Sequence, residues 1–173
     1  MYMIPLISFL LFCQALGALV GAIGALWSEF SYIRAIQDGK LDTAERTHLD
    51  IIARGLRFGM TLLLLSSLGL VITAYISGST PQPALTPAYW TLILFALLII
   101  WITSALSRKH ISFALGSASV FTAWWFLTYL TLGWLSPLSF GSSIALFVVA
   151  AFIIYGILHY LRLLAKYLAR NGN

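Results

Sequence analysis

Charge is scarce in this 173-residue chain, where only 9% of residues are Asp, Glu, Lys or Arg. Their placement is more informative than their number. Every one lies between Glu29 and Arg57, at Arg108 and Lys109, or between Arg162 and Arg170. The remainder forms uncharged runs over residues 1–28, 58–107 and 110–161. The chain is 61% hydrophobic, against about 45–50% in soluble domains. That is more apolar material than a soluble core of this length can hide, so a soluble single domain is excluded. A bilayer-crossing helix takes about 20 apolar residues, and the three runs therefore hold one, two and two spans.

Other absences narrow the function classes. Cys13 is the single cysteine, so no intrachain disulfide is available. No nucleophile–base pair, phosphate-binding loop or closed set of metal ligands appears, and nothing supports an enzyme assignment. The spans read as free of ionisable residues away from their ends, which argues against a proton-coupled pump. Asp38 to Glu45 matches the second half of a calcium loop, but Arg34 and Ile36 stand where the first two oxygen ligands belong. Glu45-Arg-Thr-His48 is a lone Glu-x-x-His, with no intramembrane glutamate to complete a dimetal bundle. The amino-terminal Met-Tyr-Met-Ile-Pro lacks the basic segment of a cleaved signal peptide, so the first apolar run is expected to be a retained helix.

What is present specifies an all-α, polytopic bundle of five spans in one membrane domain, residues 1–173. The run from Ser77 to Pro87 contains three prolines and several small polar residues, which interrupt a helix and separate spans two and three. Gly133 and Pro137 separate spans four and five. The spans fall at about 4–27, 56–75, 88–107, 110–131 and 138–161, and a helical hairpin, 28–55, joins the first two. Lipid offers no partner for free backbone groups, so the spans must be helical. All ten Lys and Arg lie in the segment from Glu29 to Arg57, the span 3–4 turn and the carboxy-terminal tail. By the positive-inside rule these regions are cytoplasmic, in the inner membrane, with the N-terminus outside and the C-terminus inside. The segment from Glu29 to Arg57 balances five acids against five bases. The net +5 thus comes from Arg108, Lys109, Arg162, Lys166 and Arg170, whose expected roles are topology and contact with anionic headgroups of membrane lipids. No nucleic-acid partner is expected.

A few residues stand out as site candidates. Gly17, Gly21 and Gly24 place small residues at helical neighbours, a face for close packing inside the bundle or for a homodimer. Gln14 is an amide in lipid, expected to bridge helices or to touch a ligand. Trp124, Trp125 and Thr128 are candidates to line an apolar pocket suited to a lipid, quinone or small hydrophobic molecule. Hydroxyls elsewhere in the spans are expected to bond back to the preceding helical turn. His110 and His159 fall at the same membrane face, where two histidines from two helices can clamp a haem iron or copper. Glu29, Arg34, Asp38, Arg46, Asp50 and Arg54 offer a charge-balanced surface for docking another membrane or cytoplasmic protein. These features favour a non-enzymatic membrane protein that binds or transports a small hydrophobic ligand, or serves as a subunit of a complex, without a cofactor. The competing reading is a haem- or copper-binding electron carrier or sensor built on His110 and His159.

Residues 28–45, from Ser28 to Glu45, together with the later stretch from Gly116 to Leu132, resemble uncharacterised small bacterial integral-membrane proteins. That resemblance implies a helical membrane fold and brings no established activity. In size and hydropathy the chain is also similar to copper-resistance and cytochrome-type membrane bundles, a likeness too general to carry over any residue.

Overall fold

A computed structural model describes residues 3–37, 41–78, 82–135 and 139–171. Five helices follow in order: α1 (Met3–Gln37), α2 (Leu41–Ile76), α3 (Pro87–Ser107), α4 (Phe113–Thr131) and α5 (Phe140–Asn171), with a short 3-10 turn at Pro83–Leu85 before α3. Among the described residues there is no strand. Each of the five helices is long and apolar enough to cross a membrane, with candidate spans Ile4–Arg34, Ala53–Ile76, Pro87–Ser107, Phe113–Thr131 and Phe140–Leu168. The chain is a multi-pass membrane protein.

The hairpin between the first two spans has no separate helices of its own. Its arms are the prolonged ends of α1 and α2, which run unbroken from membrane span into polar sequence. The Asp38-Gly39 turn expected between them lies outside the described residues, as do the side chains of Glu45, Arg46 and His48 that figured in the metal and docking readings. Leu10 against Gly69, Gln14 against Ser67, Gly17 against Gly59 and Gly24 against Gly55 fix α1 and α2 as an antiparallel pair in register over much of their length.

Helix ends follow local chemistry. Thr86 caps α3, its side chain accepting from the Tyr89 N–H, and Pro87 takes the first helical position, where its missing N–H costs nothing. Helix α3 closes with His110 N–H donating to Ala105 O and Lys109 N–H to Leu106 O, the paired bonds of a Schellman motif. Lys109 therefore sits at φ 58, a left-handed position that glycine usually fills. Gly133, at φ 79, fills the equivalent position after α4. Because of this cap, span four starts at Phe113 and not at His110; Ser112 before it is extended.

Helix α4 is the hub, packing on α1, α3 and α5. About 61% of its span is buried, against 11% for α5. Its small and hydroxyl residues, Gly116, Ser117, Ala118, Thr122 and Ala123, permit that central place because they let neighbouring backbones approach. Trp124, Phe95, Leu63, Ile99, Leu127 and Val120 are fully buried around it. Phe95 packs at a tilt against Phe126 and Phe147, with ring centroids 4.8 and 4.7 Å away. Hydroxyls bond back as expected, Thr122 to Ala118 O at 2.8 Å and Thr128 to Trp124 O at 3.0 Å.

The alternation of helices brings the charged residues among those described to one end of the bundle, the basic end. Among the described residues the opposite end, with the Pro83–Leu85 turn and Gly133, carries no charged side chain.

Candidate functional site

Near the basic end an ion pair is buried between helices. Glu29 on α1 is 3% exposed and Arg162 on α5 is 6% exposed. Arg162 Nη2 donates to Glu29 Oε2 at 2.6 Å and to Ser117 Oγ on α4 at 2.7 Å. Ser117 in turn donates to Ala114 O at 3.3 Å. The guanidinium lies over the Tyr32 ring, 5.0 Å from its centroid, and 5.6 Å from that of Phe113. A planar guanidinium suits this setting, since its edge makes directed hydrogen bonds while its face stacks on aromatic rings. Helix α1 is thereby tied to α4 and α5 at one point.

This arrangement corrects two expectations. Arg162 does not lie out at the headgroups; its charge is neutralised inside the protein. Glu29 is not an exposed docking residue but the buried counter-ion. Both belong to membrane-spanning helices, Ile4–Arg34 and Phe140–Leu168, so the spans do hold an acid and a base. The sequence carried a signal that was missed. Apolar residues continue beyond each charge, Phe30 and Ile33 after Glu29 and Leu163, Leu164 and Leu168 after Arg162, so neither charge marks the end of its helix.

Beside Arg162 lies a cavity of about 240 Å³, lined also by Tyr32, Phe113, Ala114, His159, Leu163 and Lys166. His159 stacks on Tyr155 at 5.9 Å. His159 and His110 are both exposed, His110 in the α3–α4 turn. Among the described residues no group of three or more His, Cys, Asp or Glu side chains is placed to hold a metal ion.

A second feature is an apolar groove of about 460 Å³ toward the uncharged end, between α4 and α5. Phe121, Thr122, Trp125, Phe126 and Tyr129 of α4 face Leu146, Ala150 and Ile154 of α5, with Leu135 at the mouth. Trp125 is tilted against Phe121 and Tyr129, each 6.3 Å away between centroids. Its Nε1 is buried and has no hydrogen-bond partner. An indole N–H is a donor only, and leaving one buried without an acceptor costs about 1–3 kcal/mol.

The pocket residues expected from the sequence do not converge. Of Gln14, Trp124, Trp125 and Thr128, only Trp125 borders the groove. Trp124 is 1% exposed and lies against Gly21 and Gly59, in the core. Neighbouring residues on a helix point about 100° apart, so Trp124 and Trp125 serve different surroundings. Thr128 is buried and bonded to its own helix, and Gln14 Nε2 donates to Ser67 Oγ at 2.8 Å, an interhelical bridge between α1 and α2. Gly17 faces Gly59 and Leu63, and Gly21 faces Trp124, so both glycines meet other helices of the same chain.

Of the docking candidates, Arg34 is exposed on the last turn of α1. Asp50 and Arg54 form an exposed ion pair at 2.6 Å on α2, the i, i+4 contact that their spacing implied. Asp38 lies outside the described residues, and so does the side chain of Arg46.

Comparison of the chain with protein-family models, with curated proteins and with solved structures finds no match.

Proposed function

We propose that this is a non-enzymatic membrane protein that binds a small lipid-soluble molecule in the α4–α5 groove. The observation that carries this reading is the unsatisfied Trp125 Nε1 beside an apolar groove of ligand size. Binding sites of about 300–1,000 Å³ with mostly apolar walls and a few placed polar groups suit small molecules. The polar group here is a donor, which selects for a ligand with an acceptor oxygen, such as a quinone or an ester carbonyl.

Retention of a labelled short-chain quinone by the purified protein tests the assignment. Trp125→Phe keeps the ring and deletes the donor, and it should weaken binding about fivefold, the worth of one net hydrogen bond of about 1 kcal/mol. Ala150→Phe should fill the groove and abolish saturable retention. Unchanged retention in both variants would remove the groove from consideration.

The same proposal places the basic end in the cytoplasm of a bacterial-type inner membrane, with the N-terminus outside. Its support is that every Lys and Arg among the described residues lies at that end. In a Cys13→Ala background, Leu85→Cys at the uncharged end should react with an impermeant thiol reagent added outside intact cells. Ser107→Cys at the basic end should react only after the membrane is opened. Labelling of Ser107→Cys alone in intact cells would invert the orientation.

A further inference from the structure

The α4–α5 groove has two walls of unlike chemistry, each built on a four-residue repeat. Phe121, Trp125 and Tyr129 follow one another at that spacing along α4, and Leu146, Ala150 and Ile154 do the same along α5. Residues four apart lie on one face of a helix, so one wall is a row of rings and the other a row of alkyl groups. Two contacts fix how the rows meet. Arg162 reaches Ser117 toward the basic end, and Phe147 packs on Phe126 with ring centroids 6.0 Å apart. The antiparallel register that these contacts share sets Phe121 level with Ile154, Trp125 with Ala150 and Tyr129 with Leu146. The bulkiest ring of one wall thus stands level with the smallest side chain of the other.

The ring row continues beyond the groove to Trp134, whose centroid is 5.2 Å from that of Tyr129. Phe121 and Trp125 are half-buried and Tyr129 is 40% exposed, so packing in the core does not use up their π systems. Hydrogen-bonding capacity in the groove is as uneven as its walls. Thr122 is buried, and its hydroxyl proton is donated to Ala118 O at 2.8 Å. Among the described residues that line the groove there is no carboxylate, imidazole or carboxamide. Of those residues, Tyr129 is the one exposed side chain with an acceptor atom.

We infer, on the premise that the groove is a ligand site, that its occupant is a flat conjugated ring bearing carbonyl oxygens: a quinone in its oxidised form, and neither the quinol nor an acyclic ester. A flat ring lays one face along the rings of α4, offset or edge-on, and the other against the alkyl row of α5. Aromatic pairs gain energy beyond the area that they bury. The alkyl chain of an ester fits the α5 row equally well but draws nothing further from the rings. Oxidation state follows from the scarcity of acceptors. A quinone has acceptor oxygens and no O–H, so entering the groove strands no donor. A quinol has two O–H donors, and Tyr129 can accept from one of them. The other is left unpaired away from water, which is costly.

Saturable retention of three probes with the same decyl tail by the purified full chain tests this choice: a decyl benzoquinone, its quinol kept reduced without oxygen, and decyl acetate. The quinone should bind about fivefold or more tighter than the quinol, the worth of one unpaired donor. It should bind about two- to tenfold tighter than the ester, the range for an added aromatic contact. Tyr129→Leu removes one ring and should cost the quinone that same factor while leaving the ester unchanged. Tyr129→Phe keeps the ring and deletes the acceptor, so it should weaken the quinol more than the quinone. Ala150→Phe should block all three probes. Equal retention of the three, each lost in Ala150→Phe, would overturn the assignment of a quinone while the groove stands as a binding site. Equal losses of quinone and ester in Tyr129→Leu would overturn it too. Retention of no probe, or retention that Ala150→Phe does not alter, would overturn the groove assignment itself and the quinone with it.

Discussion

Glu29→Ala should lower the unfolding free energy by about 3–5 kcal/mol, the usual cost of stranding one member of a buried ion pair. The physical cause is the residue left behind. Arg162 would keep a charge at 6% exposure, with Ser117 as its remaining hydrogen-bond partner and the Tyr32 and Phe113 ring faces as its other contacts. Arg162→Met should be comparably damaging, since it strands the Glu29 carboxylate. Glu29→Gln with Arg162→Met removes both charges at similar volume and should recover most of the loss, because a buried ion pair and a well-packed apolar substitute are often close in net stability. Thermal unfolding of the three variants in mild detergent measures the cycle. Simple addition of the two single losses in the double variant would show that the residues are not coupled.

The second large effect concerns glycines that look alike in sequence. A Cβ at Gly17 would stand 2.7 Å from Gly59 O and 2.8 Å from the Leu63 N, and one at Gly59 would stand 2.7 Å from Gly17 O. These obstacles are backbone atoms, which cannot move without separating α1 from α2. Gly17→Ala and Gly59→Ala should therefore each destabilise by about 1–3 kcal/mol or more, the range for overpacking a tight interior. At Gly21 the Cβ would overlap the Trp124 ring, in the core against α4. Gly21→Ala should be at least as severe, and Gly21→Leu should abolish folding. Gly24 and Gly55 are the contrast. A Cβ at Gly24 would come no closer than 3.9 Å to Gly55 Cα, and one at Gly55 meets nothing within 4 Å. Alanine there should be neutral or stabilising by up to about 1 kcal/mol, the difference in helix propensity. Melting temperatures of the five alanine variants check this ordering, and uniform losses across all five would contradict it.

Much of this architecture could be read from the sequence, because the bilayer imposes a length on apolar runs and lipid forbids anything but helix. The five spans, their order and the gathering of charge at one end follow from that constraint. Pairings across the chain were not legible. Glu29 and Arg162 are 133 residues apart, and each lies near the edge of an apolar run, where a charge ordinarily meets solvent. The pairing needs α1, α4 and α5 to converge, which no local pattern encodes. Trp124 and Trp125 illustrate a second limit. Composition marks both as large aromatics in a span, while helix rotation sends one into the core and the other to the groove. Gly21 and Gly24 differ for the same reason, since only the first faces α4. The start of α4 was misplaced because the cap at Lys109 is made by backbone hydrogen bonds that residue type does not announce.

The separation of Glu29 from Arg162 also orders events during synthesis. Glu29 emerges with α1, and its counter-ion follows only 133 residues later. At about 5–20 residues per second, the interval is on the order of ten seconds. For that time the nascent protein holds an acidic side chain in or beside the bilayer with its eventual base not yet made. Helices α1 to α4 can assemble around the glycine contacts, but the centre at Ser117 stays open until α5 arrives. Closure of the ion pair is thus the molecular sign that the fifth helix is in place. A chain interrupted before α5 would hold Glu29 without Arg162, so the fifth helix is the one that completes the polar centre.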